Sequence, residues 1–354
     1  MIPTLVLVGG FLGAGKTTLI LKAASMLRDR GLRVAVITND QDSGLVDTRA
    51  SEAQSLETRE VAGGCFCCRF SDLLEAAGEL KQFAPDVIFA EPVGSCVDLS
   101  ATIVQPLKSF YPDTYRTVPL TVLVDPAMAA SVYAGQEDES VAYLFRKQVA
   151  EADILCLTKS DRYESNLPVD YRLSAVTGEG IAEWLDDILH GTRMVGGKLL
   201  EVDYQQYAEA EAALGWVNVQ LDITLKTALS PAMLLGPLID DLDRDLSNAA
   251  IRIAHLKAFD RCATGVLKVS LCRNGEESVP DGDLAASPAL HHQVAINLRA
   301  LGDPDALRRS LFTALDKVNG QVTILHESAF RPAAPRPEFR FRQVVKGREQ
   351  PRLQ

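Results

Sequence analysis

Eight residues near the start of the chain, Gly10-Phe11-Leu12-Gly13-Ala14-Gly15-Lys16-Thr17, constrain its fold more than any other stretch. This G-x-x-x-x-G-K-T spacing follows an apolar, β-rich run, Thr4 to Val8, and opens a segment, Lys16 to Arg30, in which Leu19, Ala23 and Leu27 share one helical stripe. A strand that passes through a glycine loop into a helix presents backbone N–H groups at a helix N-terminus, where they can close around phosphate oxygens. Gly31 ends the helix, and Arg33 to Thr38 (RVAVIT) reads as a second buried strand, completing a βαβ unit. Short apolar runs at Val87 to Ala90, Leu120 to Val124 and Ile154 to Leu157 follow, separated by helical segments. That alternation predicts an α/β domain with a mostly parallel sheet covered on both faces.

After a helix expected from about Gly180 to Leu189, residues Arg193 to Ala213 are polar and poorly patterned. From Trp216 the period changes. WVNVQLDITL alternates, a helix is predicted over Pro231 to Asn248, and strand-like runs recur at IRIAHLKAF, VLKVSLC and HQVAINL before a last helix, Asp303 to Val318, and the strand QVTIL. The expected organisation is a P-loop domain over 1–195, a linker over 196–214, a smaller α+β domain over 215–330, and a Pro-rich basic tail over 331–354 that is extended or disordered.

Charge narrows the function classes. Asp and Glu outnumber Lys and Arg 47 to 36, a net charge of -11, which argues against a general nucleic-acid binder or a protein of anionic membrane surfaces. The opening MIPTLVLVGGFLGAGKTT has no basic leader, and no apolar run approaches the roughly 18 residues of a membrane span, so neither a signal peptide nor an anchor is expected. Seven cysteines at irregular spacing do not form a secreted disulfide framework. A reducing cytoplasm is the expected location.

The chemistry of the glycine loop assigns Lys16 to the β and γ phosphates and the Thr17 hydroxyl to Mg²⁺, with Gly10, Gly13, Ala14 and Gly15 shaping the cradle. Base choice falls to Thr158-Lys159-Ser160-Asp161, which resembles the guanine-reading N-K-x-D loop of GTPases, and to Ser174-Ala175, which resembles their S-A loop. In that reading Asp161 accepts from guanine N1–H and its amino group while the Lys159 stem lies along the base. Thr158, where Asn is usual, shortens the brace. Glu91, at a strand end before Pro92-Val93-Gly94, is expected to hold Mg²⁺ through water or to orient the attacking water, with the Gly94 N–H toward the γ-phosphate. Asp40 is the other carboxylate candidate near the metal, and Asp125 a weaker one. No arginine finger is evident, so intrinsic hydrolysis is expected to be slow.

Between these elements lies Gly63-Gly64-Cys65-Phe66-Cys67-Cys68. Three thiolates suit a soft transition-metal ion and leave one position open. A redox device and simple burial are the competing readings, the first weakened by strain in any Cys67–Cys68 disulfide. Cys96, in the loop after Glu91, is a further candidate ligand or a small buried residue.

GGFLGAGKTTL, GGCFCC, AEPVG, TKSD and SAVTGEG, in this order, resemble the CobW-type family of metallochaperone GTPases over nearly all of residues 3 to 190. The resemblance implies a P-loop GTPase domain in which Cys65, Cys67 and Cys68 bind a transition metal, and it extends the phosphate role to Thr18. It also implies GTP and Mg²⁺ as cofactors and a client metalloprotein or metal-cofactor enzyme as partner; three thiolates favour Zn²⁺ as cargo, while the resemblance adds Co²⁺, Fe²⁺ or Ni²⁺ as alternatives. No nucleic-acid or membrane partner is expected, and the chain would be a monomer or a nucleotide-dependent dimer. Asn39-Asp40-Gln41-Asp42 departs from the family's N-E-x-G, so a carboxylate role transfers only to Asp40. With five histidines in all there is no His-rich metal store. The other reading is a nucleotide-gated interaction protein, or client activator, whose thiols only shape a loop.

Overall fold

The computed structural model of the chain describes residues 2–42 and 46–346. They fall into two compact units: residues 2–42, 54–210 and 334–346 form the first, and residues 46–53 and 211–333 the second. The strands of the first are β1 (Thr4–Gly10), β2 (Val34–Asn39), β3 (Glu57–Val61), β4 (Val87–Glu91), β5 (Arg116–Thr117), β6 (Thr121–Val124), β7 (Ile154–Leu157) and β8 (Tyr171–Arg172). The α-helices among the described residues are α1 (Lys16–Asp29), α2 (Val46–Ala53), α3 (Phe70–Leu80), α4 (Gln105–Phe110), α5 (Pro126–Tyr133), α6 (Glu139–Glu151), α7 (Ile181–His190), α8 (Tyr204–Ala212), α9 (Pro231–Asn248) and α10 (Pro304–Leu315).

The first sheet runs β3-β2-β4-β1-β6-β7-β8, with β5 a short addition to β1, and its pairings are parallel. Every residue of β1, β2, β4 and β6 is buried, as expected of strands covered on both faces. Parallel pairing has one consequence for function. The carboxyl ends of all these strands lie on one edge, so the glycine loop after β1, Asn39-Asp40 after β2, Glu91 to Gly94 after β4, Asp125 after β6 and Thr158 to Asp161 after β7 share that edge. Ligands of open α/β sheets bind there, where strand order reverses on either side of β1.

The second unit is an antiparallel sheet, β12-β11-β10-β13-β9-β14, built from β9 (Leu214–Leu229), β10 (Arg252–Cys262), β11 (Gly265–Leu271), β12 (Val279–Gly282), β13 (Ala289–Leu301) and β14 (Gly320–Phe330). α9 and α10 bury Leu235, Leu238, Leu242, Leu307 and Leu311 against alternate residues such as Val217, Leu256 and Leu298. The architecture is α/β with a separate antiparallel C-terminal unit.

Three sequence expectations read differently in the structure. The segment from Asp42 to Arg59 reads in sequence as a nucleotide-ordered switch loop; residues 43–45 lie outside the described residues, and the rest contains α2 and the start of β3. α2 packs within the second unit, where Val46 meets Phe259 and Ala295, and Lys257 Nζ bonds Asp47 at 2.6 Å. The polar stretch expected as a linker contains α8, because Tyr207 buries its ring completely and its hydroxyl oxygen accepts from the Val97 N–H. The tail residues 334–346 lie within the first unit, whereas 347–354 lie outside the described residues. Among the described residues, no helix is long and apolar enough to cross a membrane.

Candidate functional site

The glycine loop is built as its spacing requires. Gly15 stands before α1 with φ 87°, a conformation that favours glycine. The Lys16 ammonium folds back over the loop, donating to the Gly10 carbonyl at 2.9 Å and the Phe11 carbonyl at 3.2 Å. Thr17 points to the neighbouring strand, its hydroxyl donating to Glu91 Oε1 at 3.0 Å, and both residues are buried. Thr18, next on the helix, is half-buried. After Glu91 the chain passes so close to the glycine loop that a Cβ on Gly94 would stand 2.8 Å from Leu12 Cδ2 and 3.1 Å from its backbone nitrogen. Glycine is the residue that fits.

Thr158 meets the same loop from β7. Its hydroxyl lies 2.9 Å from the Ala14 carbonyl and 3.1 Å from that of Val124, so the short side chain spans loop and sheet. Lys159 follows with φ 54° and bonds Asp125, which also caps α5 through the Met128 N–H at 2.8 Å. The Ser160 N–H donates to the Leu173 carbonyl, tying this loop to Ser174, whose hydroxyl accepts from the Thr177 N–H. Asp161 is exposed and Ala175 half-buried. The structure therefore gathers the residues read from sequence as phosphate, magnesium and base groups on one sheet edge. Asp40 is on the same edge: Thr38 is the register partner of Glu91, and Asp40 lies two residues further along, its Oδ1 accepting from the Gln41 N–H and its own N–H donating to the Val61 carbonyl.

The thiols lie beside this edge. The Cys68 and Arg69 N–H groups both donate to the Cys65 carbonyl, at 2.9 and 3.0 Å, a tight turn that brings three sulfurs to one side before α3 begins. Phe66, fully buried, anchors the turn. The sulfurs lie within 4.8 Å of one another, and among the described residues they are the group of this kind able to hold a metal ion. Cys68 Sγ stands 3.4 Å from Cys65 Sγ and 3.7 Å from Cys67 Sγ, near the ~3.8 Å that two thiolates take on tetrahedral Zn²⁺ with bonds of ~2.3 Å. Cys65 and Cys67 are only 2.7 Å apart, so an entering ion must spread that pair. Contacts among the sulfurs favour one thiolate: the Cys67 contact first, then Cys68, holds the Cys65 thiol well below the usual range, while the Cys65 contact raises Cys67 and pushes Cys68 up to about 11. Donor type and proximity both fit a soft divalent ion. Cys96, fully buried in the loop after Glu91, lies close enough to act on both the Cys65 and Cys67 thiols.

Sequence reading missed Asn39. At the end of β2 its amide donates to the Val61 carbonyl at 2.8 Å and the Gly64 carbonyl at 2.7 Å, and its Oδ1 accepts from the Phe66 N–H at 2.8 Å. One side chain thus clamps the entry into the cysteine turn. Asn39→Ala is expected to cost about 1–3 kcal/mol of stability, because buried backbone groups lose their partner, and about 10–100-fold in metal affinity, the scale on which groups that orient ligands act. Thermal unfolding and competition with a chromogenic chelator check both; unchanged values would show that the turn holds itself.

Comparison with known proteins was made against this geometry. Residues 4–177 match the family model described as CobW/HypB/UreG, nucleotide-binding domain. The zinc chaperone YeiR of Escherichia coli is 29% identical over 163 residues, 44% of this chain and 46% of that protein. The zinc chaperone CobW of Pseudomonas aeruginosa is 29% identical over 197 residues, 45% of this chain and 49% of that one. Among solved structures, HypB from Helicobacter pylori in complex with nickel superposes with a TM-score of 0.39 at 14% identity, covering 54% of this chain and 90% of that one. The chain spans about half the length of the curated relatives it matches. Over residues 4–177, the stretch that carries the glycine loop, the thiol turn and Thr158, the chain belongs to the CobW/HypB/UreG family of nucleotide-binding domains.

Proposed function

We propose that this chain is a GTP-hydrolysing metallochaperone that loads one transition-metal ion on Cys65, Cys67 and Cys68 and passes it to a client protein under control of its nucleotide. One observation carries the reading. Thr17, which would ligate Mg²⁺, bonds Glu91, and five residues beyond Glu91 the same loop places Cys96 on the Cys65 and Cys67 sulfurs. A γ-phosphate contact at Gly94 would pull on a loop that touches the thiols, and an order change there is a known way for nucleotide state to reach a second site.

In this reading Gly10, Gly13, Ala14, Gly15, Thr18 and Gly94 hold phosphates, Lys16 neutralises their charge, and Glu91 orients water or magnesium. Lys159, Asp161, Ser174 and Ala175 read the base. Thr158 braces the loop through Ala14 instead of through an amide. Two zinc chaperones among the relatives support Zn²⁺ as cargo, as do three sulfur donors. Mg²⁺ bound at Thr17 would neutralise charge developing on the phosphates; the protein's own part is to position them and to orient the attacking water.

The coupling is tested by titrating Zn²⁺ into nucleotide-free protein and into protein bound to a non-hydrolysable GTP analogue. Affinities that differ by about fivefold or more, the lower end of allosteric coupling, are expected. Equal affinities would remove the coupling, and no stoichiometric binding in either form would leave a nucleotide-gated interaction protein with a structural cysteine loop.

A further inference from the structure

The proline-rich residues after Ala333 lie along the first unit and touch the thiol turn directly. The Arg336 N–H donates to Cys68 Sγ at 3.1 Å, and the Glu338 N–H to the Cys67 carbonyl at 3.0 Å. The Glu338 carboxylate then accepts from the Ser71 hydroxyl at 2.7 Å and from its N–H at 3.2 Å. Ser71 is in the first turn of α3, where Arg69 before the helix supplies no side-chain cap, so a residue 267 positions away caps it instead. Phe339 packs edge-on to Phe70 and Phe110, with ring centroids 5.6 and 5.3 Å apart. Arg340 Nε bonds Asp98 Oδ2 at 2.6 Å, and the Phe341 N–H donates to the Ala101 carbonyl.

Cys68 is the least buried of the three thiols and the one this strap reaches. An N–H donor on a thiolate withdraws electron density from the sulfur and so weakens its grip on a bound ion. Cover over the turn slows both entry and departure. Asp98, buried at the end of the loop after Glu91, ties the strap to the same loop that meets Cys65 through Cys96.

We propose that residues 334–341 are part of the metal site: a strap in which Arg336, Glu338 and Phe339 are positioning residues that shield Cys68 and tune its sulfur, and whose opening sets the rate at which the ion leaves. The proposal rests on the reading that the three thiols carry metal, and its test separates the two.

Full-length protein and the double variant Glu338→Ala/Phe339→Ala are compared first without metal, by mapping iodoacetamide modification of Cys68 by mass spectrometry with Cys262 as internal reference. Loss of a helix-capping carboxylate and a ring contact should raise the open population, and with it Cys68 modification, about tenfold. Cys262 should not change. With Co²⁺ as the probe ion, transfer to EDTA should quicken by a similar factor. Arg336→Pro is the second variant: it deletes the N–H together with the guanidinium, so it is read against Arg336→Ala, which loses the side chain but keeps the N–H, and its place before Pro337 already favours the extended backbone that proline adopts. It should move the sulfur-to-cobalt charge-transfer band to lower energy, a change that mere destabilisation would not produce. Equal Cys68 modification in both proteins, or an unmoved band in Arg336→Pro, overturns the strap while leaving the metal site standing. Failure of the unaltered protein to bind cobalt overturns the metal reading and, with it, the strap's role in metal release.

Discussion

Replacing Cys65, Cys67 and Cys68 together with Ser is expected to weaken Zn²⁺ binding by far more than a hundredfold, to the point where no stoichiometric site remains. Neutral hydroxyls neither ionise at pH 7 nor offer soft donors, and loss of groups that only orient ligands already costs 10–100-fold. The fold should survive. The turn is held by backbone hydrogen bonds to the Cys65 carbonyl and by Asn39, none of which uses sulfur. GTP hydrolysis with Mg²⁺ but without Zn²⁺ should therefore persist, and chelator competition beside a phosphate-release assay reads both outcomes. Undiminished zinc affinity in the triple variant would place the ion elsewhere.

The second large effect is expected at the glycine loop. Lys16→Ala removes an ammonium held over the loop carbonyls, and Thr17→Ala removes the hydroxyl that meets Glu91. Preorganised groups aimed at developing charge are each worth about 10²–10³ in rate, so either substitution should lower kcat for GTP by that factor. Thr17→Ala should in addition make the residual rate insensitive to Mg²⁺. Retention of full activity in Lys16→Ala would mean that phosphate release comes from another source. Zinc binding by nucleotide-free Lys16→Ala should be intact, since the thiols sit on a separate turn.

The P-loop, the parallel sheet and the order of the site-bearing loops were legible because each depends on neighbours in the chain. An apolar run of four to seven residues, a glycine at a required φ and a helix with one apolar stripe announce themselves within a dozen positions. β3 was not legible: it lies at the sheet edge, largely half-buried, so Glu57 to Glu60 need no apolar pattern. α2 was missed for a related reason, since its short polar sequence packs within the second unit through Val46 and the Asp47 ion pair with Lys257, not through a repeating stripe. Thr158 looked like a shortened base brace. Its hydroxyl spans Ala14 and Val124, the first a contact across 144 residues that no local pattern encodes.

The order of residues along the chain was enough to determine the phosphate-binding loop, the turn that gathers three thiols, and the parallel strands that bring their loops to one edge. These follow from backbone geometry and burial over short spans. Which distant groups close on the thiols was decided only by tertiary structure: Asn39 from the end of β2, Cys96 from the loop after β4, and the Arg336 N–H from 268 residues away. Hydrogen bonds to backbone groups carry no residue signature at the far partner, so such contacts exist in the fold without being written in any motif.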